Sequence, residues 1–120
     1  MANARNIGAT FERDVAHLLT DAGFPAMRGQ QRSGTEIEDV ICPTLSEFHL
    51  ECKRHKKHWN VLYKIFQKAK TDRPGIEAPI IFMHAPATSG ERRKPVLVAM
   101  EYSDFVDLLR GYKASLRAGD

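Results

Sequence analysis

Four side chains of the kinds that hold a cation and move a proton fall in three short stretches of this sequence. Asp39 lies in Glu36-Ile37-Glu38-Asp39-Val40-Ile41-Cys42-Pro43, and Glu51 and Lys53 close Glu47-Phe48-His49-Leu50-Glu51-Cys52-Lys53. Both stretches read as strands. Side chains alternate faces along a strand, so Glu51 and Lys53 share one face while Phe48, Leu50 and Cys52 take the other. The short connection between them predicts a hairpin that brings Asp39 beside Glu51. Two carboxylates then grip a divalent cation, and the Lys53 ammonium is aimed at the same point. Such a set suits hydrolysis of a phosphodiester, where a cation screens the phosphate charge and lowers the pKa of a bound water. Mg²⁺ prefers oxygen donors and keeps several waters, so two or three carboxylates suffice. Asp39 and Glu51 are the expected direct ligands, with the Cys52 backbone carbonyl as a third.

The elements that would position these groups can be read from periodicity. A first helix is expected from about Ile7 to Ala22, with Phe11, Val15, Leu18, Leu19 and Ala22 at helical spacing and Gly23 as its stop. Glu12 falls on the edge of that apolar stripe, from which it can reach a second cation. Phe24 to Arg28 is a short first strand, followed by a polar loop from Gly29 to Thr35. After the Asp39 and Glu51 strands, Asn60 is read as the cap of a second helix ending near Lys70, with Val61, Leu62, Ile65, Phe66 and Ala69 inward. Residues 79–83 and 95–100 look like buried strands around a charged loop, and Ser103 as the cap of a last helix bearing Phe105, Val106, Leu108 and Leu109. The order αβββαββα predicts an α/β fold, a single domain with a central mixed sheet flanked by helices.

Composition narrows the function classes. The chain has 120 residues, enough for one domain that buries about two-thirds of its unfolded surface. No apolar run approaches the ~20 residues of a membrane span, and the first residues lack the apolar core of a signal peptide. A cytoplasmic protein with reduced Cys42 and Cys52 is expected. The formal net charge is +3, yet Lys53 to Lys70 holds seven of the 18 Lys and Arg and no acid, which leaves the rest at −4. A basic patch that begins where the carboxylate strand ends suits a polyanionic substrate such as DNA. Arg13, beside Glu12 on the solvent side of its helix, Arg28 and Arg32 flanking the polar loop, and Arg54, Lys56, Lys57 and Lys68 are the candidate phosphate contacts. Cys52, His55 and His58 have a zinc-like spacing, but no fourth ligand follows.

Gly8-Ala9-Thr10-Phe11-Glu12-Arg13, then Arg28 to Gly34, Asp39-Val40 and Leu50-Glu51-Cys52-Lys53 resemble the PD-(D/E)-x-K nuclease superfamily, and within it the archaeal-type and phage-encoded Holliday junction resolvases. The likeness runs from about Ile7 to Phe82. It implies a restriction-endonuclease-like fold and a homodimer that nicks four-way DNA junctions symmetrically with Mg²⁺ or Mn²⁺. It maps Glu12, Asp39, Glu51 and Lys53 onto catalytic positions, and Ser33 onto a serine near the scissile phosphate. Glu38 stands where the motif has proline, and Gln67 falls on the far side of the second helix from the apolar stripe. The motifs are shared with flap, fork and restriction-type nucleases. A DNA-binding protein that keeps the fold without catalysis is the other reading.

Overall fold

The structure is a computed structural model and describes residues 4–29, 38–72, 74–75, 78–90 and 92–119, with side chains from residue 8 onward. The chain forms two compact units, Met1–Lys56 and Lys57–Asp120. Among the described residues no helix is long and apolar enough to cross a membrane.

In the first unit, helix α1 spans Ala4–Asp21 and buries Ala16 and Leu19. It ends in a Schellman motif: Phe24 N donates to Leu19 O at 2.8 Å and Gly23 N to Thr20 O at 3.0 Å. Gly23 takes φ +99°, which a residue with a Cβ rarely adopts. Leu19 and Phe24, the two residues bracketed by the longer loop of this motif, are both buried. The Thr20 hydroxyl then accepts from Ala26 N at 3.0 Å, tying the following chain back to the helix. Strand β1 (Met27–Arg28) pairs antiparallel with β2 (Val40–Ile41), Met27 opposite Ile41 and Arg28 opposite Val40. Gly29 N extends the register to Asp39 O at 2.9 Å. A Cβ on Gly29 would overlap the Glu38 carbonyl, so the close approach of these segments depends on glycine. Val40, Cys42 and Leu45 complete this core, the last on a 3-10 turn over Pro43–Leu45.

The second unit holds α2 (Lys57–Asp72), β3 (Ile81–Met83), β4 (Leu97–Ala99) and α3 (Tyr102–Ala118). Strands β3 and β4 pair antiparallel with Phe82 opposite Val98. Helix α3 buries Val106 and Leu109; α2 buries no residue fully.

The fold is mixed α/β with three α-helices among the described residues, but several expectations, the element order included, are corrected. Among the described residues the strands form two two-stranded antiparallel sheets, β1-β2 and β3-β4, in place of one central mixed sheet. The segment from Glu47 to Lys53 is not a strand: Glu47 and Phe48 still belong to the turn after Leu45, with Phe48 N bonded to Leu45 O at 3.0 Å, and residues 49–53 form no regular element. Its backbone link to β2's approach is Asp39 N to Leu50 O at 3.1 Å, and an isolated bond does not make a ladder. The observed order is therefore α-β-β-α-β-β-α. Residues 79–83 and 95–100 are not buried strands: Phe82 and Val98 are 72% and 51% exposed. Helix α2 begins three residues before Asn60, which lies inside it, and Glu101 rather than Ser103 precedes α3 in extended conformation. Val61 and Ile65, expected inward, are exposed.

Candidate functional site

The carboxylates singled out from the sequence all lie in the first unit. Asp39 sits just before β2, half-buried, and its Oδ2 accepts a hydrogen bond from Cys52 N at 2.7 Å. With the Asp39 N to Leu50 O bond, this clamps Asp39 against the backbone on both sides of Glu51. The alternation expected of residues 49–53 persists without the ladder. Leu50 and Cys52 are half-buried, and His49, Glu51 and Lys53 are exposed. Phe48 departs from it and is exposed.

Glu12 reaches from α1 to β1, where its Oε2 accepts from Arg28 Nε at 2.6 Å. Arg28 was expected to meet a phosphate; here its guanidinium neutralises Glu12. Glu51 Oε1 bonds His49 Nε2 at 2.7 Å, and Glu51 Oε2 lies 4.0 Å from Lys53 Nζ. His49 Nδ1 is 3.9 Å from Glu38 Oε1, so the ring stands between two carboxylates.

Two titrating groups report on this charge. The hydrogen bond to Glu51 raises the pKa of His49; desolvation opposes it, and the charges of Glu51, Glu38 and Asp39 add to the rise. The Cys52 thiol is pushed up to about 11, first by partial burial and then by the charges of Asp39, Glu12 and Glu51. All three carboxylates thus act on one point, the side chain of Cys52.

Asp39, Glu12 and Glu51 supply hard oxygen donors, the type Mg²⁺ or Mn²⁺ takes. In placement they stop short of a cage. Among the described residues no group of three His, Cys, Asp or Glu side chains stands close enough to hold a metal ion. Glu12 and Glu51 face Arg28 and His49, so holding an ion would require those cations to be exchanged for it. The Cys52 backbone meets Asp39 through its amide N–H. Both cysteines are free thiols.

Ser33 and Arg32 lie outside the described residues. Arg13, Arg54 and Lys56 are exposed in the first unit, whereas Lys57 and Lys68 belong to α2 of the second. Lys68 bonds Asp72 at 2.8 Å, which raises its pKa.

Sequence reasoning missed His49 and Gly29. The signal for His49 was present: residues two apart in extended chain share a face, so the rule that pairs Glu51 with Lys53 also pairs it with His49. Nothing in one sequence marked Gly29 as the point where β1 and the Asp39 segment touch. Compared with known proteins, the chain matches no family model, no curated protein and no solved structure.

Proposed function

We propose that this protein is a divalent-metal-dependent, structure-selective DNA endonuclease that resolves four-way junctions by paired nicks, acting in the cytoplasm as a homodimer. The observation that carries the reading is the clamp on Asp39, which binds Cys52 N at 2.7 Å and so sits beside Glu51. The effect of Glu12, Asp39 and Glu51 on the Cys52 thiol supports it, as do the resemblance of these segments to junction resolvases and the run of cations after Glu51.

Asp39 and Glu51 would hold the ion, the Cys52 carbonyl would assist, and Glu12 would bind a second one once released from Arg28. Bound there, Mg²⁺ or Mn²⁺ would screen the phosphate and make a water acidic enough to attack at neutral pH. Lys53 Nζ, close to Glu51 and exposed, would orient that water or offset charge on the phosphate. Arg13, Arg54 and Lys56 would take flanking phosphates. A two-fold dimer would present two such sites to opposite strands of a two-fold junction.

Cleavage of four-way, flap and linear duplex DNA at one salt concentration tests the reading. Junction nicking that needs Mg²⁺ and is lost in Glu51→Ala is expected. Equal rates on linear duplex would replace the resolvase by another nuclease of the superfamily, and equal cutting by Glu51→Ala would place the chemistry elsewhere.

A further inference from the structure

The second unit contains a cavity of about 620 Å³ that the nuclease chemistry does not use. Trp59, Tyr63 and Phe66 of α2 and Tyr102 at the start of α3 line it, over Met83 and Met100. At 100° per residue the three α2 rings fall on one side of the helix. The rings are only partly covered, with Trp59 39% and Tyr63 68% exposed. Glu101 also lines the cavity and is paired with Lys70, which places a carboxylate acceptor and an ammonium donor at an otherwise apolar wall.

We infer that this aromatic groove docks an unpaired base of single-stranded or branched DNA. A base has two apolar π-faces and a polar edge, and the groove offers rings for the faces and the Glu101–Lys70 pair for the edge. The volume lies in the range of small-ligand sites. Charge selects the occupant. The second unit carries 11 Lys and Arg against 7 Asp and Glu, a net +4, while the first carries 7 against 8, a net −1. A second copy meeting the groove face to face would bring two units of +4 together, whereas a nucleic acid strand neutralises them. Lys57, Lys64 and Lys68 fall on the opposite side of α2, so they attract the strand at long range and do not line the groove.

The inference rests on the DNA-binding part of the proposed function and not on its metal chemistry. Trp59 is the chain's single tryptophan, so its fluorescence reports the groove alone. The full-length protein, without metal, is titrated with a dye-labelled single-stranded oligodeoxynucleotide, with the same strand made abasic, and with a labelled four-way junction. Anisotropy reads binding and Trp59 emission reads docking. Quenching by the normal strand but not by the abasic one is expected. Tyr63→Ala, with an unchanged circular dichroism spectrum, should bind the single strand about five- to hundredfold more weakly. DNA that binds with Trp59 emission unmoved overturns the groove and leaves the DNA reading standing. An emission that shifts with protein concentration and ignores DNA assigns the groove to a second copy and also overturns it. If no DNA binds, the proposed function fails and the groove falls with it.

Discussion

The first unit buries Ala16, Leu19, Phe24, Val40, Cys42 and Leu45, while the buried side chains described in the second are Pro79, Val106 and Leu109. In the second unit, Val61, Tyr63, Ile65, Ile80, Phe82, Val96, Leu97 and Val98 are left exposed. The polar groups divide the other way. The first unit turns its carboxylates into a local set of pairs, with Arg28 on Glu12, Cys52 N on Asp39 and His49 on Glu51. The second carries an excess of positive charge and an aromatic groove. A buried core fixes the backbone, which is what chemistry needs from the elements around Asp39 and Glu51. Uncovered apolar and cationic surface is what binding needs, since its free energy is gained only when a partner arrives. Under the proposed function, labour is divided: reaction in the first unit, recognition in the second.

Substitutions that separate cleavage from binding test that division most strongly. Glu51→Ala should lower the rate of junction nicking by roughly 10²- to 10³-fold, the scale for removing one electrostatic partner from a reacting site, and leave junction affinity unchanged. Lys57→Ala with Lys64→Ala should do the converse. Affinity should fall, and the log-log salt slope should shrink by about 0.9 for each phosphate no longer neutralised. Nicking rates at saturating protein and gel-shift affinities at three salt concentrations measure both. Glu51→Ala weakening binding as much as the lysine pair would dissolve the distinction.

The core contrast predicts the next largest effect. Leu45 is 2% exposed and Phe82 72%. Leu45→Ala should cost about 2–5 kcal/mol of unfolding free energy, and Phe82→Ala less than about 0.5 kcal/mol. Urea denaturation compares them directly. A large cost for Phe82→Ala would mean that the β3–β4 face is covered in solution, and the second unit would then be less open than its exposed residues indicate.

How much of this was legible in the sequence follows from which forces act locally. Helix α1 was legible because its stop is encoded in Gly23 and its inward face in residues three and four apart; even so, Leu18 is 46% exposed and Ala16, not singled out, is buried. The meeting of Asp39 with residues 50–52 was legible because the chain between them is short enough for little else. The ladder that was to hold it was not. Alternation predicts which face a side chain takes, but pairing depends on a neighbouring strand, and residues 49–53 keep the alternation without the pairing. Residues 79–83 and 95–100 misled for the same reason. An apolar run announces what it would gain by burial and not whether anything in the chain covers it. The ion pairs of Glu12 and Glu51 were hidden because a count of charges treats Arg28 as a DNA contact and gives His49 no weight.

Cys52 gives a smaller but more local test, of whether the three carboxylates act together. With its thiol at about 11, Cys52 should alkylate at pH 8 roughly tenfold more slowly than an ordinary exposed cysteine, since a lower thiolate fraction is partly offset by greater nucleophilicity. Mass spectrometry resolves it from Cys42. Asp39→Asn and Glu12→Gln should each speed the reaction, Asp39→Asn more, because Asp39 exerts the larger of the two charge effects. Variants without influence would mean that the carboxylates of the first unit do not share a field.

The finest distinction lies in how the two units respond to pH. His49 has its pKa raised above 6.5, chiefly by its hydrogen bond to Glu51. For a group whose folded pKa is raised, the stabilisation is complete below the unfolded value and disappears as pH climbs through the folded one. The His49–Glu51 pair therefore holds below the ordinary histidine value and releases its charge as the solution becomes alkaline. Lys68, raised above 10.5 by Asp72, keeps its pair through the same range and loses it only above that value. Proton NMR of His49 should give a pKa above 6.5, which Glu51→Gln returns toward 6.5, while Lys68→Ala leaves it unchanged. Both pairs are exposed, so neither moves overall stability by more than a small amount. What the titration decides is whether Glu51 is engaged by a cation of its own chain at neutral pH. A His49 resonance that titrates at 6.5 in the wild type would mean that Glu51 is not held by His49 in solution, and the first unit would then lack one of the pairs that set it apart from the second.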